Sequence, residues 1–222
     1  RHFDGWGIEV PVITFPAAPK RLIRISAQLY NTREQFARRM EYGLQILENY
    51  YAQNINRWNK VVTIEQNFRN IAVDDMLLKG KLDKIEFNGK DATIVDYKTG
   101  DPEKAKEKLK RPTGQDPNGG DYWRQAVFYK IMLDHYTAKD WNVTSVEFDF
   151  IEWTKKKEYI KEKVVVTPVD VQLVKEQIQT VYNKIQSHDF YTGCGKEDCH
   201  WCHFVKTTKL VVALHEMDDD EP

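Results

Sequence analysis

GKLDKIEFNGKDATIVDYKTG, residues Gly80–Gly100, is the stretch that decides the fold. Asn88-Gly89 is a strong hairpin signal, so the segment carrying Asp83 is expected to lie beside the segment carrying Asp96. The apolar run from Ala92 to Val95 delivers a carboxylate, one spacer and an amine: Asp96, Tyr97, Lys98. Strand alternation puts Asp96 and Lys98 on one side. Two carboxylates and a lysine then converge on one point.

Outward from the hairpin, the chain alternates helical and strand patterns. Residues 1–25, with Pro11, Pro16 and Pro19 among apolar residues, read as an extended linker or arm from an upstream domain. From Ser26 to about Trp58 the spacing of Met40, Leu44 and Leu47 predicts a helix. Val61 to Phe68 alternates as a strand. After the hairpin come a lysine-rich helical piece and a Gly/Pro-rich loop, then a helix from Tyr122 to about Tyr136. Ser145–Trp153 and Tyr159–Val166 read as a second strand pair. Thr167-Pro168-Val169-Asp170 opens a last helix with an N-cap threonine, a proline in the first turn and an acid three residues on. The order implies an α/β domain with a central mixed sheet, placed at residues 26–210, and an acidic tail at 211–222.

Composition narrows the class. Of 222 residues, 41% are hydrophobic and 30% charged, which suits a globular chain, and no apolar run approaches the roughly 18 residues of a membrane span. The start, RHFDGWGIEV, lacks the apolar core of a signal peptide. It also lacks a methionine, so Arg1 reads as an internal cut in something longer. Net charge is −1, and a nucleic-acid binder of that charge needs a local basic face. The three cysteines all fall between Cys194 and Cys202, which is no disulfide framework and fits a reducing compartment.

The hairpin chemistry is that of phosphodiester hydrolysis. Anionic oxygens repel the nucleophile and the leaving oxygen is poor; a divalent cation addresses both problems. Magnesium is usually held by one or two carboxylates and keeps several waters, which Asp83 and Asp96 would suit. Lys98 could orient or deprotonate the attacking water, or stabilise developing charge. The competing reading is a surface hairpin with an ordinary Asp–Lys pair. Against it, Asp96 follows a buried-looking run, where an unpaired charge is costly. Glu65 is a candidate supporting acid on the preceding strand, or a solvated strand residue.

Other segments carry secondary candidates. Gln125 and Tyr129 are one helical turn apart and share a face. Lys104, Lys108 and Arg111 form one helical stripe that could line a DNA backbone, and Trp123 could stack a base. A solvated charged helix and a core tryptophan are the alternatives. Cys194, Cys199 and Cys202, with His200 and His203 alongside, have ligand-like spacing for zinc or an iron–sulfur cluster, or form a metal-free turn.

GKLDKIE, then IVDYKTG, then Gln125-Ala126-Val127-Phe128-Tyr129 resembles the PD-(D/E)XK nucleases of the RecB type. The wider chain, with GGDYWRQAVFYKIML and CHWCHFV, is similar to the nuclease module at the C-terminus of bacterial UvrD/Rep-type helicases. The resemblance spans roughly Leu44 to Phe204. It implies a restriction-endonuclease-like core and Mg2+ (or Mn2+) bound by Asp83, Asp96 and the Tyr97 carbonyl, with Lys98 catalytic and Gln125 and Tyr129 positioning substrate. It also implies DNA as partner, a linked or associated superfamily 1 helicase, and a bacterial cytoplasmic setting. Some RecB-type relatives hold an iron–sulfur cluster with one early and three late cysteines; here only the late ones are present. The RecB-type pattern also has an early G-x-x-x-H, whereas Gly43 is followed four residues on by Leu47, near Glu41 and Glu48. The histidine is expected upstream of Arg1, which would leave this fragment with an incomplete, weakly active or inactive site, or lost; the alternative function is a catalytically impaired module that binds DNA or protein.

Overall fold

The structure is a computed structural model. It describes residues 32–189, 192–193, 199–200 and 202–203, and before them the backbone of four short strands. These are β1 (His2–Phe3), β2 (Ile8–Glu9), β3 (Val12–Thr14) and β4 (Arg21–Ile23), paired antiparallel as β1–β2 and β3–β4. The acidic tail at 211–222 lies outside the described residues.

The chain divides into two compact units, Arg1–Arg57 and Trp58–Pro222. The first contains α1 (Arg33–Asn54), opened by a capping box in which Thr32 and Gln35 exchange side-chain and backbone hydrogen bonds. Met40, Leu44 and Leu47, the residues whose spacing marks the helix, are all exposed.

The second unit is built on a five-stranded sheet. Its strands are β5 (Val62–Val73), β6 (Met76–Asn88), β7 (Asp91–Lys98), β8 (Asn142–Phe150) and β9 (Lys161–Val164), side by side in that order. β7 and β8 run parallel and every other pair antiparallel, so the sheet is mixed. The β6–β7 turn is Gly89-Lys90, with Gly89 at φ +62°, where a residue with a Cβ would be strained. β7 is buried on both faces: Ala92, Ile94 and Val95 have no exposed surface, which explains an apolar run in place of clean alternation.

Between β7 and β8 come α2 (Pro102–Ala105), the 3-10 turn Glu107–Leu109 and α3 (Asp121–Asp134). The single helical stripe expected for Lys104, Lys108 and Arg111 does not form: α2 ends after one turn, and Lys110 and Arg111 are already extended or irregular. α3 lies against β6 and β8. Trp123, Ala126, Val127, Ile131 and Met132 are fully buried there. α4 (Pro168–Gln186) packs on α3. It begins with the cap legible in the sequence, Thr167 and Asp170 bonding reciprocally with proline in the first turn. The result is an α/β fold with a central mixed sheet flanked by helices.

Candidate active site

The candidate residues gather at the C-terminal end of β7. The β6–β7 ladder pairs Lys84 with Val95, so one step further Asp83 faces Asp96. There the backbone N–H of Tyr97 donates to Asp83 Oδ2 at 3.0 Å. A side chain thus takes the place of a ladder carbonyl, fixing the Asp83 carboxylate beside β7.

Asp96 is only 5% exposed, and a carboxylate so enclosed needs partners. It has three. Lys98 Nζ lies 2.7 Å from Asp96 Oδ2. Tyr129 OH donates to Asp96 Oδ1 at 2.8 Å, and Gln125 Nε2 donates to the same oxygen at 3.3 Å. Gln125 ties the group together, its Oε1 accepting from Lys98 Nζ at 2.7 Å and its Nε2 donating to Tyr129 OH at 2.7 Å. Lys98 needs an acceptor and Asp96 a donor, so the amide can face only one way.

Electrostatics follow from burial. Tyr129 is pushed well above the ordinary phenol range, first by burial and then by the Asp96 charge, its hydrogen bond and the more distant Asp83. It is a neutral donor, not a base. The Lys98 ammonium also sits over aromatic rings, 4.6 Å from the Tyr122 centroid and 5.2 Å from that of Phe148. The two rings stack at 5.2 Å. Phe148 stands beside Asp96 across the parallel ladder and Phe150 beside Lys98. These rings form the wall that keeps Lys98 from bulk water. Only the aromatic pattern of β8 and the position of Tyr122 before Gln125 hinted at that role.

On the opposite face, Tyr97 meets Lys84, whose Nζ is 5.2 Å from the ring centroid. Burial works against the Lys84 charge, but the Glu86 and Tyr97 bonds outweigh it and raise its pKa.

Some candidates lie elsewhere. Glu65 has φ +52°, is more than half exposed and pairs with Lys81, so it is not drawn into the Asp96 cluster. Trp123 has no exposed surface and is corrected to a core residue: no face of its ring is open to a base. Lys104 and Lys108 are exposed. Arg111 is committed elsewhere, forming a fork to Asp170 at 3.0 Å on both oxygens and donating to the Val165 carbonyl at 2.9 Å. Burial raises the Asp170 pKa, but Arg111 and Thr167 more than offset this and hold it below the usual carboxylate range.

The donor set around Asp96 suits a hard cation with an incomplete protein shell. Asp83 and Asp96 come from adjacent strands at this end of β7, and among the described residues Asp83 Oδ1 accepts no hydrogen bond. Two carboxylates with water completing the sphere is how magnesium is commonly held. Among the described residues no group of three or more His, Cys, Asp or Glu could hold a metal ion. Cys199 and Cys202 are half-buried, and the His203 N–H donates to the Cys199 carbonyl at 2.9 Å. Cys194, the third member of that set, lies outside the described residues. Among the described residues no helix is long and apolar enough to cross a membrane.

A family match agrees with this architecture. The family described as the PD-(D/E)XK nuclease superfamily matches residues 12–207. A comparison with curated proteins finds no match. Among solved structures, the chain is similar to SSO0001, at 15% identity and TM-score 0.35 over 62% of this chain and 55% of that one. It is also similar to a protein from Eubacterium rectale described as a candidate exonuclease, at 13% identity and TM-score 0.38, over 80% of this chain and 63% of that one. The chain therefore spans less than two thirds of the length of either.

Proposed function

The chain belongs to the PD-(D/E)XK nuclease superfamily, and on that premise we propose that it hydrolyses phosphodiester bonds of DNA at the site centred on Asp96. The observation that carries the reading is the position of Lys98, whose ammonium lies 2.7 Å from both Asp96 Oδ2 and Gln125 Oε1 at the sheltered end of β7. An ordinary surface Asp–Lys pair has no such second acceptor and no aromatic wall.

Asp83 and Asp96, with the Tyr97 carbonyl, are the groups that would hold Mg2+ or Mn2+. Such an ion neutralises charge on the phosphate and lowers the pKa of bound water. Lys98 holds the attacking water or donates to a non-bridging phosphate oxygen. Gln125 fixes the direction of the Lys98 ammonium, and Tyr129 holds the Asp96 carboxylate through its Oδ1. We further propose, on the sequence resemblance to RecB-type modules, that the protein works with a superfamily 1 helicase that feeds it DNA.

A second reading has one observation in its favour. Leu47 stands where the RecB-type pattern has histidine, so the chain would bind DNA without cutting it. The test is cleavage of single- and double-stranded DNA with Mg2+ by wild type, Asp96→Asn and Lys98→Met. Cleavage lost in both variants, with thermal unfolding unchanged, supports hydrolysis at this site. Equal cleavage by all three rules the site out. DNA binding by a wild type that cleaves nothing with either metal selects the second reading.

A further inference from the structure

Lys108 brings a second ammonium to the ring that shelters Lys98. Its Nζ is 5.0 Å from the Tyr122 centroid, where Lys98 Nζ is 4.6 Å away. The two differ in setting: the Lys98 side chain is 15% exposed, while Lys108 is open to solvent. On the C-terminal side of Lys108 the cations are paired, Lys110 with Glu107 and Arg111 with Asp170. Lys108 itself has no carboxylate partner among the described residues. A like charge held close to Lys98 with no counter-ion is a place for an anion.

The backbone carrying Lys108 is fixed against the helix that carries the site. A Cβ on Gly120 would stand 2.2 Å from the Lys108 carbonyl oxygen and 2.8 Å from that of Glu107, so the turn rests directly on the first residue before α3. The Gly120 N–H donates to the Lys110 carbonyl at 2.8 Å. On the far side, Arg111 is forked onto Asp170 at the start of α4. Tyr122, Gln125 and Tyr129 belong to the same α3, so Lys108 is held in register with the Asp96 cluster.

We propose that Lys108 is a substrate-positioning residue that binds a phosphate flanking the scissile one on a DNA strand led across Tyr122. The inference rests on the hydrolytic reading above and deepens it. The two ammonium groups are separated by no more than the sum of their distances to the ring centre, so one strand lying across that ring can reach both. One lysine then meets the reacting phosphate and the other its neighbour, which sets where along the strand the cut falls.

The test is binding of a labelled oligothymidylate in EDTA, where nothing is cut, across a series of NaCl concentrations. Lys108→Met is compared with wild type and with Lys139→Met, an exposed lysine beyond the other end of α3. The expected result is a slope of log K against log[NaCl] shallower by about 0.7 for Lys108→Met alone, the value for one single-strand phosphate contact. With Mg2+ present, KM should rise while kcat holds, as for lost uniform binding. An unchanged slope for Lys108→Met, an equal drop for Lys139→Met, or no binding by wild type overturns the proposal. Failure of the hydrolytic reading is seen separately, as Asp96→Asn cleaving like wild type.

Discussion

Tyr129 donates its hydroxyl proton to Asp96 Oδ1 at 2.8 Å, from a helix that joins the sheet 33 residues later in the chain. The bond gives a nearly enclosed carboxylate one of the partners it needs. It is reinforced from behind, because Gln125 donates to the Tyr129 oxygen and so strengthens the phenol as a donor.

Tyr129→Phe should therefore reduce turnover by about 10- to 100-fold, the rate equivalent of losing a hydrogen bond to a charged group worth about 1.5–3 kcal/mol. The shape of the pH–rate profile should not change. Burial and the Asp96 charge keep the phenol neutral throughout the working range, so it contributes no titration to lose. Steady-state cleavage rates between pH 6 and 9, an interval of roughly neutral to mildly basic conditions below the phenol's ordinary pKa, are the measurement. A variant whose alkaline limb moves would show that Tyr129 acts as a base.

Asp170→Asn should destabilise the fold by about 1–2 kcal/mol at neutral pH, less than a fully buried ion pair because Arg111 is half exposed. The carboxyl pKa is lowered in the native state, so its stabilisation is present above the unfolded value of about 3.9 and is lost as pH falls through the native one. Urea unfolding at a series of pH values should show the gap between variant and wild type closing below about pH 4. A constant gap down to strongly acid pH would mean that shape, not charge, holds Arg111.

Two glycines should respond differently to alanine. At Gly120 the added Cβ meets backbone, the Lys108 carbonyl at 2.2 Å, which has no flexible end to move aside. At Gly80 it meets the tail of Met132, with the sulfur at 2.8 Å, and a thioether can turn away. Gly120→Ala should cost about 1–3 kcal/mol or more, and Gly80→Ala about 1 kcal/mol. Thermal unfolding compares them directly. Equal costs would show that the 3-10 turn can lift from α3 freely.

The sequence by itself determined what depends on near neighbours. Asn88-Gly89 and the run before Asp96 fix the hairpin and its register, hence the facing of Asp83 and Asp96 and the shared side of Asp96 and Lys98. Thr167, Pro168 and Asp170 fix the start of α4. Strand period and capping are local, so they can be read from spacing. Only the tertiary structure decided which distant groups meet. Trp123 and Gln125 are two residues apart on α3, yet one is sealed in the core and the other faces Lys98. Glu65 looked available as a ligand until a positive φ and Lys81 took it elsewhere. Arg111 looked like a DNA contact until Asp170, 59 residues on, claimed its guanidinium. In each case the outcome rests on packing and ion pairing between segments far apart in sequence, and residue spacing carries no information about those distances.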